Sequence, residues 1–157
     1  MRRLPKTAVL AASAAALLAT FVAAQGMDPL QAAVKARQSQ MFLFQFNLMT
    51  LGGMAQGNIP YDAAAATAAA NNLVALSSVD QTAYWLPGTA MGEIADTDAK
   101  PELFQNMDDV VAKVGALHDA SVAMAAVAGT DLASLQGAMQ ALGGACGACH
   151  QAYRAQD

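Results

Sequence analysis

The chain has few charged residues, few basic residues in particular, and no segment that alternates between apolar and polar positions. Charged residues make up 13% of it, with eight Lys and Arg against twelve Asp and Glu. Because nucleic acid is bound through basic surfaces, this balance argues against a nucleic-acid partner. The missing alternation argues against half-buried strands and leaves helices. Hydrophobic residues, at 55% of the chain, are sufficient for the core of one domain.

The longest hydrophobic run lies at the N-terminus and indicates a secretory signal peptide at residues 1–24. Three basic residues among the first six positions precede an uncharged, Ala- and Leu-rich run over 7–24. Small residues at its end suit a signal peptidase, so the mature domain is predicted at 25–157, in the periplasm. The run is at or under the ~20 residues that a membrane span needs, which disfavours an integral membrane protein. Without the leader, five basic residues remain and the formal charge is −7.

Four helices are predicted after residue 27, because apolar residues recur there every three or four positions. Their expected spans are about 28–57, 63–79, 101–128 and 131–153. Asp28 followed by Pro29 is a typical helix start, with an acidic N-cap and proline at the first helical position. Residues 80–100 are predicted to form a long loop, and the other connections are short. The sequence therefore predicts an all-α, antiparallel four-helix bundle.

One apolar stripe on each helix is predicted to face the core. On the first helix it comprises Leu30, Val34, Arg37, Met41, Phe44, Leu48, Leu51 and Ala55. On the second it comprises Leu73, Leu76 and Val79. On the third it comprises Phe104, Met107, Val111, Val114, Leu117, Ser121 and Met124. On the fourth it comprises Leu132, Leu135, Met139, Leu142, Cys146, Cys149 and Tyr153.

The segment CGACH at residues 146–150 forms a C-x-x-C-H motif, which predicts covalent attachment of haem. Residues three and four apart share one face of a helix, so both thiols and the imidazole can meet one flat ligand. Cys146 and Cys149 would form thioethers to the haem vinyl groups, and His150 would bind the iron as axial ligand. Small residues around the motif let a porphyrin approach the helix closely. The predicted cofactor is one covalent haem c.

Other uses of the two cysteines are less consistent with the sequence. A disulfide is the default in an oxidising compartment, but these thiols are three residues apart within one predicted helix. A zinc site needs a fourth ligand, and the other histidine, His118, has no cysteine near it in sequence. His118 is interpreted as a surface or boundary residue of the third helix. A thioredoxin-like redox pair needs a strand before the helix, and none is predicted.

An exported, all-helical chain with C-x-x-C-H in its last helix resembles class II cytochromes c, and cytochrome c′ proteins in particular. Class I relatives place the motif near the N-terminus. The resemblance extends over essentially the whole mature chain. It is carried by KARQ at 35–38, PYDA at 60–63, PGT at 87–89 and CGACHQAYR at 146–154.

The resemblance implies roles for six residues besides the motif, and Met41 is the last of them to be described. Arg37 and Gln38 fall where cytochrome c′ proteins place side chains near the haem propionates. The loop around Thr89 and Glu93 approaches the haem edge in such proteins, and Arg154 matches their proximal basic residue. Arg37 also lies on an apolar stripe, where it should either extend to solvent or meet an anion such as a propionate. For Arg154, a solvated C-terminal side chain is the alternative.

Met41 matches the family position over the distal face of the iron, and it determines the expected chemistry. If its sulfur only covers a five-coordinate iron, the protein is a cytochrome c′ that binds small gases such as NO or CO, and this form is favoured. If the sulfur is the sixth ligand, the protein is a low-spin electron carrier. Met49 and Met54 are interpreted as core packing.

Enzymatic activity as a small haem peroxidase or NO reductase is the alternative of another class. Such catalysis needs a distal acid or base over the iron. The predicted distal neighbours Met41, Phe44 and Leu48 supply none, so the chain is not expected to be an enzyme. Its expected partners are redox proteins of the periplasm.

The first helix carries a second apolar line, which predicts a homodimer. Phe42, Phe46, Met49 and Gly53 are again spaced by three and four. A helix that is apolar on two faces needs two burial partners, and its own bundle supplies one. The alternative is that the loop 80–100 folds over Phe42 and Phe46 within one chain.

Overall fold

The computed structural model describes residues 26–156, and five α-helices lie within them. They are α1 (Pro29–Ala55), α2 (Ala63–Ser77), α3 (Pro101–Gln105), α4 (Met107–Val127) and α5 (Leu132–Tyr153). A short 3₁₀ turn spans Thr82–Tyr84 in the loop between α2 and α3. The predicted signal peptide lies outside the described residues.

Four of these helices form an antiparallel bundle, as predicted. α1 packs against α2 and α5, and α4 packs against the same two helices, so each long helix has two neighbours. At one end of the bundle the Gln136 side chain near the start of α5 donates to the Ala55 carbonyl at the end of α1. Because the start of one helix meets the end of the other, α1 and α5 are antiparallel. The short α3 packs on α4 and α5.

The helix ends follow from local sequence chemistry. Asp28 accepts hydrogen bonds from the backbone N–H groups of Leu30 and Gln31 at 2.9 and 3.2 Å, and Pro29 occupies the first helical position. At the other end of α1, Gly57 has φ of 74°, and the next N–H, that of Asn58, bonds back to the Gly53 carbonyl at 2.8 Å. A left-handed residue with this 6→1 bond is the Schellman C-cap, which glycine forms without strain.

The third predicted helix is broken at Asn106, and the predicted continuous helix from Pro101 is therefore wrong. Asn106 has φ −128° and ψ 44°, and its side-chain nitrogen donates to the Glu102 carbonyl at 2.7 Å. Such side-chain bonds compete with the helical backbone ladder. The break changes the buried face of α4. Val110 is 3% exposed and Val111 is 65% exposed, whereas the predicted stripe had placed Val111 in the core.

Buried residues form two separate clusters. The larger cluster fills the half of the bundle that contains the α1–α2 and α4–α5 turns; its buried members are Phe44, Leu51, Met54, Ala66, Ala69, Ala70, Leu73, Met124, Ala128, Leu135 and Leu142. The smaller cluster lies under the long loop and comprises Leu103, Val110 and Tyr153, with Trp85, Ala99, Phe104 and Cys149 packed against it. The stripes of α1 and α5 are thus largely confirmed, whereas Val79 lies beyond α2 and is 43% exposed.

Among the described residues, α4 is long and apolar enough to cross a membrane, with 21 residues and a mean hydropathy of 1.4. Length and composition alone are weak evidence for a membrane span. In the structure α4 packs against α2 and α5 as one helix of the bundle.

Candidate functional site

The last helix, α5, carries the three motif residues near its C-terminal end. Cys146 and Cys149 are half-buried, whereas His150 is exposed. Burial raises the pKa of both thiols, because a thiolate would lose hydration there. Partial desolvation, and then the charge of Arg154, lower the pKa of His150. This shift favours the neutral imidazole, which is the form that binds metals.

The surface of α5 beside the motif is open to a flat group. A Cβ built on Gly143 or Gly144 would meet no neighbouring atom within 4 Å, and one on Gly147 would meet only the Gln151 side-chain nitrogen, at 3.9 Å. A porphyrin attached through two sulfurs on one helix face needs this clearance along the backbone. The residues present therefore fit a covalently bound haem c.

Cys149 is joined to the smaller core cluster, so the motif is anchored on one side by apolar and aromatic side chains. Trp85 from the loop and Phe104 from α3 pack against the same cluster. Tyr153, one turn beyond Cys149, is 8% exposed. Three separate segments thus converge on the C-terminal end of α5.

Tyr153 also links α5 to α4 through a polar contact. Its hydroxyl donates to the Asp109 carboxylate at 2.5 Å, and Lys113 lies 3.4 Å from the same oxygen. The hydrogen bond to Asp109 raises the pKa of Tyr153 to about 12. The same bond lowers the pKa of Asp109, with a further contribution from the Lys113 charge.

Arg37 is almost completely buried, at 4% exposed, and its guanidinium is bonded to the long loop. One terminal nitrogen, Nη1, donates to the Thr89 hydroxyl at 2.7 Å and to the Tyr84 carbonyl at 3.3 Å. The other, Nη2, donates to the Thr89 carbonyl and the Thr97 hydroxyl, both at 2.6 Å. The structure thus brings the predicted site residues Arg37 and Thr89 together. Burial lowers the pKa of Arg37.

Gln38 and Glu93 hold the outer part of the same loop. The Gln38 side-chain nitrogen donates to the Asp96 carbonyl at 2.5 Å, and Glu93 accepts from the Ala90 backbone N–H at 3.0 Å. Both side chains are exposed. Asp96 has φ of 59°, which is rare for a residue other than glycine.

Arg154 lies at the end of α5, where the chain pairs with the start of α3. Its backbone N–H donates to the His150 carbonyl at 3.0 Å, and its exposed side chain lies 3.7 Å from Asp98. The Lys100 N–H donates to the Tyr153 carbonyl at 2.9 Å. These contacts fix the last turn of α5 directly behind the imidazole.

The three methionines of α1 that were considered as iron ligands have different environments. Met41, one turn from Arg37, is 37% exposed and lies at the margin of the predicted core stripe. Met54 is 3% exposed within the larger cluster, so its interpretation as core packing is confirmed. Met49 is 68% exposed, and the same interpretation is wrong for it.

Sequence reasoning placed Tyr153 on the core stripe correctly, but it missed the contributions of Trp85, Thr97 and Asp109 to this end of the bundle. Trp85 is the chain's only tryptophan, and its position beside a Pro-Gly turn was a usable signal. Thr97 and Asp109 gave none, because their partners are 60 and 44 residues away in sequence. His118 is half-buried, with Nδ1 3.0 Å from the Ser77 hydroxyl, which agrees with the predicted boundary position.

Comparisons with known proteins identify the family. The family model for cytochrome c′ matches residues 32–154. The chain is 43% identical over 141 residues to a cytochrome c-554 of Cereibacter sphaeroides, covering 90% of this chain and 92% of that protein. It is 35% identical over 140 residues to a cytochrome c′ of the same organism, covering 89% and 94%.

The fold matches as well. A solved cytochrome c′ structure from Rhodobacter Spheriodes superimposes with a TM-score of 0.80 at 34% identity, over 83% of this chain and all of that one. Sequence, fold and the C-x-x-C-H motif agree. The chain belongs to the cytochrome c′ family and binds one haem c covalently.

Proposed function

We propose that the chain is a periplasmic haem protein that binds small gases such as NO or CO, or carries electrons, at a five-coordinate iron. The observation that carries the proposal is the pair of half-buried cysteine sulfurs, three residues apart on one face of α5, beside the open surface at Gly143, Gly144 and Gly147. The periplasmic location is supported by the basic and then apolar N-terminal sequence.

In this proposal Cys146 and Cys149 form the thioethers, and His150 is the axial ligand. A haem held there supplies an iron that exchanges electrons and takes small ligands. Arg154 acts behind the imidazole, since its backbone ends the helix on the His150 carbonyl and its charge disfavours protonation of the ring. Tyr153 fixes the same turn by its bond to Asp109.

Gas binding is supported by the chemistry of the first helix and by related structures. Met41 is uncharged, and its neighbour on the stripe, Phe44, is apolar, so this part of α1 suits small uncharged ligands. Solved structures of two variants of cytochrome c prime from Alcaligenes xylosoxidans contain NO and carbon monoxide. They are 32% and 34% identical to this chain, with TM-scores of 0.71 and 0.69.

A six-coordinate electron carrier with Met41 as sixth ligand is the second candidate. The residue itself favours it, because a thioether is a good ligand for haem iron. A peroxidase or NO reductase is disfavoured, because Met41, Phe44 and Leu48 provide no acid or base.

Absorption spectra of the purified oxidised and reduced protein test this proposal. Broad high-spin bands and rapid CO uptake by the reduced protein are expected for five-coordinate iron. Sharp low-spin bands that change in Met41→Ala would instead establish the second candidate. Intact mass after acid-acetone extraction tests the attachment. Wild type should retain one haem, and Cys146→Ser with Cys149→Ser should lose it; loss from wild type would overturn the assignment of both thioethers.

We further propose a homodimer built on the outer face of α1. Phe42, Phe46 and Met49 are 65%, 61% and 68% exposed, so the long loop does not cover them. That loop instead contacts α1 at Arg37 and Gln38. Gly53, the last member of the line, packs within the chain against Ile59. A solved cytochrome c′, 31% identical with a TM-score of 0.73, shows a ligand-controlled dimer dissociation.

Replacing Phe46 with Glu should produce a monomer that still holds haem, because a charge there would be buried in the interface. The matched control is Val111→Glu, at a side chain that is equally exposed (65%) but lies on α4. Sedimentation equilibrium should show a dimer for wild type and for the control. A wild-type protein that is monomeric at high micromolar concentration would rule out the dimer.

A further inference from the structure

The two terminal nitrogens of the buried Arg37 guanidinium donate all their hydrogen bonds to one loop. These two nitrogens carry four N–H groups, and all four are directed at oxygens of residues 84–97: the Tyr84 carbonyl, the Thr89 carbonyl, and the hydroxyls of Thr89 and Thr97. All four acceptors are neutral. The salt bridges of the described residues involve Lys113 and Arg154, not Arg37.

Because of these bonds, the position of the loop depends on the Arg37 side chain. Arg37 is 4% exposed, and a buried charge is costly unless its N–H groups are hydrogen-bonded. If the loop moved away from α1, the guanidinium would lose its acceptors or would have to move into solvent. Thr89 is itself completely buried, and its hydroxyl also donates to the Leu86 carbonyl at 2.6 Å. The Thr89 hydroxyl is therefore held by a second bond within the loop, and its bond from the charged guanidinium is of the stronger, charge-assisted kind.

Trp85 connects this contact to the cysteine motif. The guanidinium carbon lies 5.0 Å from the centroid of the Trp85 ring, within the range of a cation–π contact. The same indole packs against the cluster that contains Cys149 and Tyr153. Trp85 therefore links Arg37 on α1 to the same cluster against which Cys149 of α5 packs.

We propose that Arg37 is a positioning residue that clasps the loop 82–97 onto α1 and thereby holds Trp85 against the Cys149 end of α5. The loop is then a wall of the haem site whose position depends on one buried cation. This role follows from the loop contacts alone.

The chain's only tryptophan reports directly on the clasp. In the intact haem protein, indole emission is quenched by energy transfer to the haem, so loss of the clasp should raise it. Arg37→Met keeps the apolar stem and removes all four bonds. We expect its Trp85 emission to rise severalfold and chymotryptic cleavage after Tyr84 or Trp85 to accelerate by at least about tenfold, which is what one charged hydrogen bond contributes to a local opening equilibrium.

Three further variants separate a clasp from general destabilisation. Lys35→Met removes an exposed cation of the same helix and should leave emission and cleavage unchanged. Thr97→Val removes one acceptor with little change of shape and should give a smaller rise than Arg37→Met. Arg37→Lys should protect the loop from cleavage less than wild type and more than Arg37→Met, because an ammonium group cannot reproduce the planar donor geometry of the guanidinium.

Each variant is compared only if its far-ultraviolet circular dichroism and haem absorption bands match those of wild type, because the emission and cleavage rates then refer to a folded protein with haem. If Arg37→Met does not fold, Thr97→Val alone tests the proposal. Unchanged Trp85 emission and unchanged cleavage in the folded variants would overturn the clasp. Failure of haem attachment in wild type would overturn the proposed function instead, and it would leave the cleavage comparison intact.

Discussion

The two ends of the bundle are held together in different ways. In the half distant from the motif, Leu51, Leu73, Met124 and Leu135 are all 0% exposed. At the motif end, none of residues 143–152 of α5 is buried. That end is held by the Arg37 contacts, the Tyr153–Asp109 bond and aromatic packing on Cys149. Aliphatic packing thus dominates one end, whereas the end that receives the cofactor combines a smaller apolar cluster with polar and aromatic contacts.

The composition of α2 explains part of the difference. Ala66, Ala69 and Ala70 are buried on its inner face. Such small residues allow α1 and α4 each to pack closely against α2. The loop 80–100 has no equivalent repeat, and it reaches the bundle through single long side chains such as Trp85. A periodic pattern of apolar residues is enough to pack a pair of helices, whereas the loop is held by individual side chains that each need a particular partner.

The largest expected effect is the loss of packing at the aliphatic end. Leu135→Ala should lower the free energy of unfolding by about 2–5 kcal/mol, because a completely buried leucine leaves a cavity when truncated. Val111→Ala, at a position that is 65% exposed, should change it by less than about 0.5 kcal/mol. Urea unfolding followed by circular dichroism measures both. Equal losses would show that the two ends are packed alike.

At the motif end, Met41→Ala should alter ligand access more than stability. Against the protein's own atoms the side chain is 37% exposed, so its truncation removes few contacts within the chain. In the proposed site it lies over the iron, and its removal should therefore speed CO binding to the reduced protein. Met49→Ala, on the outer face of α1 at 68% exposed, is the matched control. Stopped-flow rates that are the same in both variants and wild type would place Met41 elsewhere.

The Tyr153–Asp109 pair should give the motif end a distinct pH dependence. The folded pKa of Tyr153 is raised to about 12, so its contribution is complete below the unfolded value of about 10 and is lost as pH rises towards 12. The folded pKa of Asp109 is lowered, so its contribution is present above the unfolded value of about 4 and is lost as pH falls below it. Both contributions should be smaller than the effect of Leu135→Ala.

Tyr153→Phe tests this pH dependence. In wild type the free energy of unfolding should fall between pH 10 and about 12 as Tyr153 ionises, and the variant should lack this fall. Urea unfolding at several pH values in this window, with Tyr61→Phe as control, gives the comparison. The Tyr61 hydroxyl bonds to the Ala128 carbonyl at the other end of the bundle. Parallel curves for wild type and Tyr153→Phe would exclude a role for the pair.

The difference between the two ends also marks what the sequence could predict. Periodicity and caps are local, so the four-helix bundle, the Asp28 start of α1 and the buried stripe of α5 were predicted correctly. The partners of Arg37 lie 47 to 60 residues away and have no shared pattern, so its loop contacts were not predictable. The break at Asn106 was missed because asparagine is tolerated within helices, and its side-chain bond appears only in three dimensions.

The smallest expected effect concerns a close helix approach at the aliphatic end. A Cβ on Gly129 would lie 2.2 Å from the Thr67 hydroxyl oxygen of α2 and 3.4 Å from the Ala63 carbonyl. Gly129→Ala should therefore destabilise the protein by about 1 kcal/mol, since the threonine must give up its present rotamer and its 2.7 Å bond to the Ala63 carbonyl. Thr67→Ala in the same chain should remove most of this cost, because the colliding atom is gone. A double-mutant cycle by urea unfolding measures the coupling. Additive losses from the two substitutions would mean that α2 and the α4–α5 turn do not approach this closely in solution.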